Sequence, residues 1–390
     1  MLGTSNEAVA IRLTIAGGGT GGHVLPALAV VEELRQRRLV ADLLWIGSDS
    51  GIERDAASGA GIPFRSVQTG KLRRYFSLQT LTDAARLPLG AAQARRALAA
   101  FRPDVVFSTG GFVSVPTVVA AKGIAPVLTH EQTAILGLAT RIDARFADVL
   151  AVSWDQTAAS ARAIHRRVVV TGNPVRASLN QGDAASARAT FGFSADLPLL
   201  YVTGGARGAS PLNTRIERLL QGLLEHCQVL HQTGPQSAND DRTRLLAQRA
   251  EWPPHLRDRY QPVEFVGPEL PDVYAAADLI LGRAGAGTVA ELAFLGKPAI
   301  LIPLPGAGGD EQSRNARILA DVDGAVLVPQ AQATPEHLRE IITKLLADPE
   351  RRRRMGESAR SVAKPDAAAR LADVLLDLAE ERRKPPVAGR

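Results

Sequence analysis

One pattern occurs twice in this chain and restricts its fold more than any other. Leu13-Thr14-Ile15-Ala16 runs into Gly17-Gly18-Gly19-Thr20-Gly21-Gly22, and Leu200-Tyr201-Val202-Thr203 runs into Gly204-Gly205-Ala206-Arg207-Gly208-Ala209. Each is a short apolar run that stops in glycines ahead of a helix-like segment. Glycines at such a junction let backbone approach an anion closely, with the free N–H groups of the helix start facing it. Two such units predict an α/β protein of two Rossmann-like domains facing each other across a cleft.

The rest of the chain keeps that rhythm. Strand-like runs at 11–16, 43–46, 105–108, 127–130, 149–152 and 168–171 alternate with helical stretches. The second half repeats it at 199–203, 229–232, 264–266, 279–281, 299–302 and 325–328. Continuous apolar strands between helices imply parallel sheets covered on both faces. At 390 residues the chain is too long for one ordinary core. The expected division is 1–171, 172–362, and a tail of 363–390 with an amphipathic helix over 366–383 that carries Leu371, Val374, Leu375 and Leu378. Gly172-Asn173-Pro174 reads as a hinge. The four arginines at 351–354 read as a solvated helix face.

Composition excludes several function classes. Aromatics make up 4% of residues, too few for stacking on single-stranded nucleic acid, and no helix-turn-helix or zinc-finger pattern occurs. Cys227 is the single cysteine, which rules out an internal disulfide framework and any multi-cysteine metal site. Apolar stretches are too short to span a bilayer, and the N-terminus, with Glu7, lacks an export pattern. A net charge of +6 favours nucleotides or anionic lipid headgroups as partners.

Four segments carry candidate chemistry. The loop at 17–23 is not a P-loop, because no Gly-Lys-Ser/Thr follows, and Gly47-Ser48 rather than an acid closes the next strand. Adenylate transfer and hydride chemistry therefore both lose support. His23 stands just past the glycines, with Pro26 placed for the first turn of a helix. It suits a base facing the cleft, and equally a helix-start histidine without chemistry. A second loop, from Ser108 through Gly110, Gly111 and Ser114 to Pro116, is either a plain strand-to-helix turn or a second anion seat.

His130-Glu131-Gln132-Thr133 ends another strand, where open α/β sheets bind ligands. No second histidine stands at helical spacing, so this is not a zinc motif. The strongest local motif runs from Arg283 to Leu292. Its small-residue loop opens a helix whose positive end can meet a diphosphate. Glu291, one turn in, can accept both hydroxyls of a ribose, or simply offset the helix dipole. Gln312 and Asn315 then offer amides suited to sugar hydroxyls.

Taken in order, these segments resemble the MurG family, bacterial transferases that add N-acetylglucosamine to lipid I to make lipid II. The match runs through 17–29, 110–114, 130–132, 172–176, Gly204-Gly205, 231–234, 283–292 and Gln312 to Ala316, nearly the whole chain. The resemblance implies the two-domain glycosyltransferase B architecture and an inverting reaction that uses neither metal nor cofactor. UDP-GlcNAc would sit mainly on the C-terminal domain, with lipid I as acceptor.

By match, Glu291 would hold the ribose and Val266 would offer backbone to uracil. Ala286, Gly287, Thr288, Val289, Ala290 and Arg176 would lie along the nucleotide and its diphosphate, and Gln312 would contact the sugar. Thr20, Gly21, Gly22 and His23 would face the acceptor and the reacting carbon, with His23 the general base. Gly110, Gly111, Ser114, His130 and Glu131 would serve the acceptor and its diphosphate.

The family usually carries Asn at the positions of Thr133 and Thr140, Ser-Gln at Ala206-Arg207, and Leu at Gly287. Thr133 and Ala206 fall at donor-contacting positions. Those departures keep two alternatives open: the same architecture with another lipid or aglycone acceptor, and a UDP-sugar-binding protein without catalysis. A membrane-bound acceptor also implies a peripheral enzyme on the cytoplasmic face of the membrane. The run from Gly70 through Lys71, Arg73, Arg74, Tyr75 and Phe76 to Leu78, with Leu81, Leu87 and Leu89, suits anionic lipid.

Overall fold

The computed structural model describes residues 10–49, 51–70, 78–306 and 309–384, with backbone alone at 78–86. The chain forms two compact units. One comprises Met1–Val175 with Lys364–Arg390, the other Arg176–Ala363.

The first unit is built on strands β1 (Ile11–Gly17), β2 (Val40–Gly47), β3 (Phe64–Ser66), β4 (Val105–Gly110), β5 (Val127–Glu131), β6 (Val149–Val152) and β7 (Val168–Val170). They form one parallel sheet in the order β3-β2-β1-β4-β5-β6-β7. Alternation along β4 shows why its first three residues are all apolar. Val105 and Phe107 join a core with the helices Gly21–Gln36 and Ala367–Arg383, while Val106 between them joins a core under Leu78–Phe101 and Val115–Ala121. A strand buried on both faces is apolar except where a polar side chain finds a buried partner, as Ser108 does in Asp143.

The C-terminal helix docks through Leu371, Leu375 and Leu378, each at most 2% exposed. Burying each leucine contributes roughly 1.5–3 kcal/mol before entropy is counted. That apolar face, rather than the exposed Arg167–Glu381 pair on its rim, anchors the helix.

The second unit carries β8 (Leu199–Thr203), β9 (Gln228–Gln232), β10 (Tyr260–Val263), β11 (Leu279–Gly282), β12 (Ala299–Leu301) and β13 (Ala325–Leu327). Its parallel order is β10-β9-β8-β11-β12-β13. In both parallel sheets the strand order therefore reverses beside the first strand, between β1 and β4 and between β8 and β11. Loops that leave the carboxyl ends of those strands flank the crevice where such sheets bind ligands.

Two strands differ from the sequence reading. The run at 264–266 lies past the end of β10, which instead spans Tyr260–Val263. Register decides this: Tyr260 pairs with Val229 and is fully buried, whereas Phe265 is 59% exposed. Pro262 is tolerated because β10 is an edge strand. The short β3 has one apolar residue, and its pairing with β2 rather than its own pattern makes it a strand.

The helix after β1 also begins earlier than read, at Gly21, so Pro26 falls in its second turn. Three of the four arginines at 351–354 are exposed, but Arg352 donates to the Leu345 and Leu346 carbonyls and caps the preceding helix. Of the basic and apolar run at 70–89, residues 71–77 lie outside the described residues and 78–86 are described by backbone alone. Of its members, Leu89 is 49% exposed.

Candidate active site

The switch point of the first unit is tightly packed. A Cβ on Gly17 would stand 2.1 Å from the Thr109 side-chain Oγ1, so a larger residue there would force that hydroxyl to move. Trp45 Nε1–H donates to the Gly17 carbonyl at 3.0 Å from within the core. The loop that follows is not an open anion cradle, because Glu53 already occupies it. Its carboxylate accepts from the Gly19 amide at 2.9 Å and from the Ser48 amide at 2.9 Å and hydroxyl at 2.5 Å. Burial pushes the Glu53 pKa up, but those donors outweigh it and hold the group below the ordinary carboxylate range.

Thr20, exposed and extended, caps the helix, and Gly21, Gly22 and His23 form its half-buried first turn. His23 Nδ1 lies 2.8 Å from the Thr109 carbonyl and 3.2 Å from Gln132 Oε1. Two acceptors at one nitrogen require a hydrogen there, leaving the lone pair on Nε2. A Cβ on Gly111 would come within 3.3 Å of that Nε2, so the glycine keeps its approach open.

Behind this ring the polar side chains are buried. His130 is fully buried, its Nε2–H donating to the Gly172 carbonyl at 3.0 Å and its Nδ1 facing Gln132 Nε2 at 3.2 Å. Burial lowers its pKa to about 4, with nearby His23 adding to the effect, so His130 carries no charge at neutral pH. Glu131 accepts from the Thr133 amide and hydroxyl and from the Gly137 amide, stapling the loop between them.

Asp143 supports the second glycine loop. Its Oδ2 accepts from Ser114 Oγ at 2.6 Å and Ser108 Oγ at 3.0 Å, and Ser108 Oγ accepts from the Gly110 amide. Burial raises its pKa to about 7 against the pull of those two hydroxyls, with Glu131 adding repulsion. The folded chain thus holds a proton here that the unfolded chain, with a carboxyl near 3.8, has released. That contribution is present at low pH and lost as pH rises through about 7. Asp143→Asn removes it. The difference in urea unfolding free energy, variant minus wild type, is expected to be more favourable at about pH 8 than at about pH 5. A pH-independent difference would refute the assignment.

In the second unit the loop after β11 opens the helix Ala286–Leu295, with Gly285 as its cap. Val289 and Ala290 are buried, so their side chains pack inward, while Gly287 and Thr288 are half-buried. A Cβ on Gly287 would meet nothing, so a larger residue fits there. Glu291 is half-buried, and its Oε2 accepts from the buried Tyr274 hydroxyl at 2.7 Å. Burial raises the Glu291 pKa, while Tyr274 and the nearby Arg176 guanidinium pull it down.

Other residues shape the loops. Arg283 is buried and donates to the Ile302 and Pro303 carbonyls and to Gln330 Oε1. Asn315 is buried against the Ala284 carbonyl, and Gln312 Oε1 accepts from the Leu304 amide. Gln232 bridges the Gly205 carbonyl and the Val266 amide. The Val266 N–H is therefore already engaged. Ala206 and Arg207 are exposed on the loop after β8.

Two family models match the chain in sequence: the glycosyltransferase family 28 N-terminal domain at residues 13–152 and its C-terminal domain at 199–371. The chain belongs to glycosyltransferase family 28. Within it, a protein of Desulfitobacterium hafniense named UDP-N-acetylglucosamine–N-acetylmuramyl-(pentapeptide) pyrophosphoryl-undecaprenol N-acetylglucosamine transferase is 35% identical over 373 residues, covering 95% of this chain and all of its own. The Bacillus subtilis protein of the same name is 32% identical, covering 94% and 99%. The crystal structure of Acinetobacter baumannii MurG superposes with a TM-score of 0.71 at 30% identity, covering 94% of this chain and 99% of its own.

Membership of family 28 makes both glycine-loop halves parts of one enzyme. Asp143, Glu53 and Tyr274 are not singled out by the sequence, and Gln132 is named there only as part of the polar quartet 130–133. The cue for that quartet is its place at and just past the end of β5. Among the described residues no helix is long and apolar enough to cross a membrane.

Proposed function

We infer that this chain transfers N-acetylglucosamine from UDP-GlcNAc to undecaprenyl-pyrophosphoryl-MurNAc-pentapeptide (lipid I), giving lipid II for peptidoglycan synthesis. The observation that carries this reading is likeness over nearly the full length of both chains to relatives bearing that activity in their names, at 32–35% identity. The first unit takes the acceptor and the second the donor. Arg176 and the amino end of the helix Ala286–Leu295 stabilise charge on departing UDP, and Glu291 holds the ribose.

His23 Nε2 removes the proton of the acceptor sugar hydroxyl as that oxygen bonds to the anomeric carbon of N-acetylglucosamine. The bond from that carbon to the UDP oxygen breaks with its electron pair, and UDP leaves. A single displacement inverts the anomeric centre. Since the acceptor is lipid-linked, the enzyme works as a peripheral protein on the cytoplasmic face of the membrane, its positive net charge favouring anionic lipid.

Incubation with UDP-GlcNAc and authentic lipid I should release UDP and yield lipid II. Absence of product beside an active control transferase would reject the reading, and turnover with other lipid or aglycone acceptors but not lipid I would move it to the alternative acceptor class.

A further inference from the structure

We propose that Gln132 is a positioning residue for the transfer: its side-chain oxygen accepts from His23 Nδ1–H, aims Nε2 at the reacting hydroxyl and stabilises the imidazolium formed there. The proposal rests on His23 acting as the base. Its warrant is the orientation of one buried amide. Gln132 is 2% exposed, and its Nε2 donates to the Thr109 carbonyl at 2.8 Å while facing the His130 carbonyl at 3.1 Å. An NH₂ group belongs between two carbonyl oxygens, so the amide cannot be flipped without setting oxygen against oxygen.

The remaining end, Oε1, must then face His23 Nδ1, at 3.2 Å. With the Thr109 carbonyl it makes a pair of acceptors that hold the hydrogen on Nδ1. A charged donor strengthens both bonds.

No carboxylate takes this place. Glu53, His130, Glu131 and Asp143 are titratable side chains of the segments around His23. The helix Ala367–Arg383, packed on the helix that carries His23, holds Arg370 and Asp373, paired with Asp366 and Arg37. Glu53 is tied to Gly19 and Ser48, Glu131 to Thr133 and Gly137, and Asp143 to Ser108 and Ser114. His130 is neutral and places no opposing charge beside the imidazolium. The Gln132 amide is thus the one side chain that answers the charge on Nδ1 among the described residues.

The test uses full-length protein with labelled histidine, His23 being assigned by its absence from the His23→Gln spectrum. The side-chain NMR titration midpoint of His23 is expected to fall by roughly half a unit or more in Gln132→Met and to rise in Gln132→Glu. The acid limb of kcat should shift in the same directions, and kcat of Gln132→Met should drop by about tenfold with UDP affinity retained. An unchanged His23 midpoint in Gln132→Met, or UDP affinity lost in step with kcat, would overturn the proposal. The titration needs no substrate. A wild type inactive toward lipid I would therefore count against the assigned reaction, while the midpoints still judge Gln132.

Discussion

Replacing His23 with alanine is expected to lower kcat for lipid II formation by roughly a hundred- to ten-thousand-fold, the range a well-placed general base supplies. UDP affinity should stay within about twofold, because binding made equally in ground and transition states is untouched. The expectation follows from the ring's anchoring. Nδ1 is committed to Thr109 and Gln132, so Nε2 is the nitrogen left to exchange a proton. Steady-state kinetics with calorimetric UDP titration separates the two effects. Equal loss of turnover and affinity would reassign His23 to binding.

Glu291→Ala should do the reverse. Calorimetry is expected to show UDP affinity lower by roughly ten- to a hundredfold, the scale of charge-assisted hydrogen bonds to a carboxylate. The variant also strands the Tyr274 hydroxyl, whose partner is Glu291 Oε2. The pH dependence carries a definite sign. Burial raises the Glu291 pKa above its ordinary value, and ribose hydroxyls need the ionised form as acceptor. Wild-type affinity should therefore weaken as pH falls through that raised pKa, with proton release on binding in that window. Glu291→Gln should bind UDP weakly with this pH dependence abolished. Unaltered UDP affinity in Glu291→Ala would remove the residue from the nucleotide site.

The same two residues show what a linear reading can and cannot reach. His23 and Glu291 stood out because each follows a glycine-rich strand-to-helix junction, a feature contained within about ten consecutive residues. Their partners lie elsewhere in the chain. Gln132 is 109 residues from His23, and Tyr274 is 17 from Glu291 on a different helix. Glu53, which fills the first glycine loop, is 34 residues from Gly19. From sequence that loop reads as an empty anion seat. A carboxylate folded back into it changes what the loop offers.

By itself the sequence determined two parallel-sheet α/β units and a resemblance to the MurG family, because strand periodicity, glycine junctions and ordered motifs are local and survive without a partner. Tertiary structure decided the rest: where β10 begins, that residues 64–66 form a strand, and which buried oxygens meet which ring nitrogens. Those outcomes depend on strand order and register, which bring distant residues within hydrogen-bond range. No stretch of chain encodes that proximity on its own.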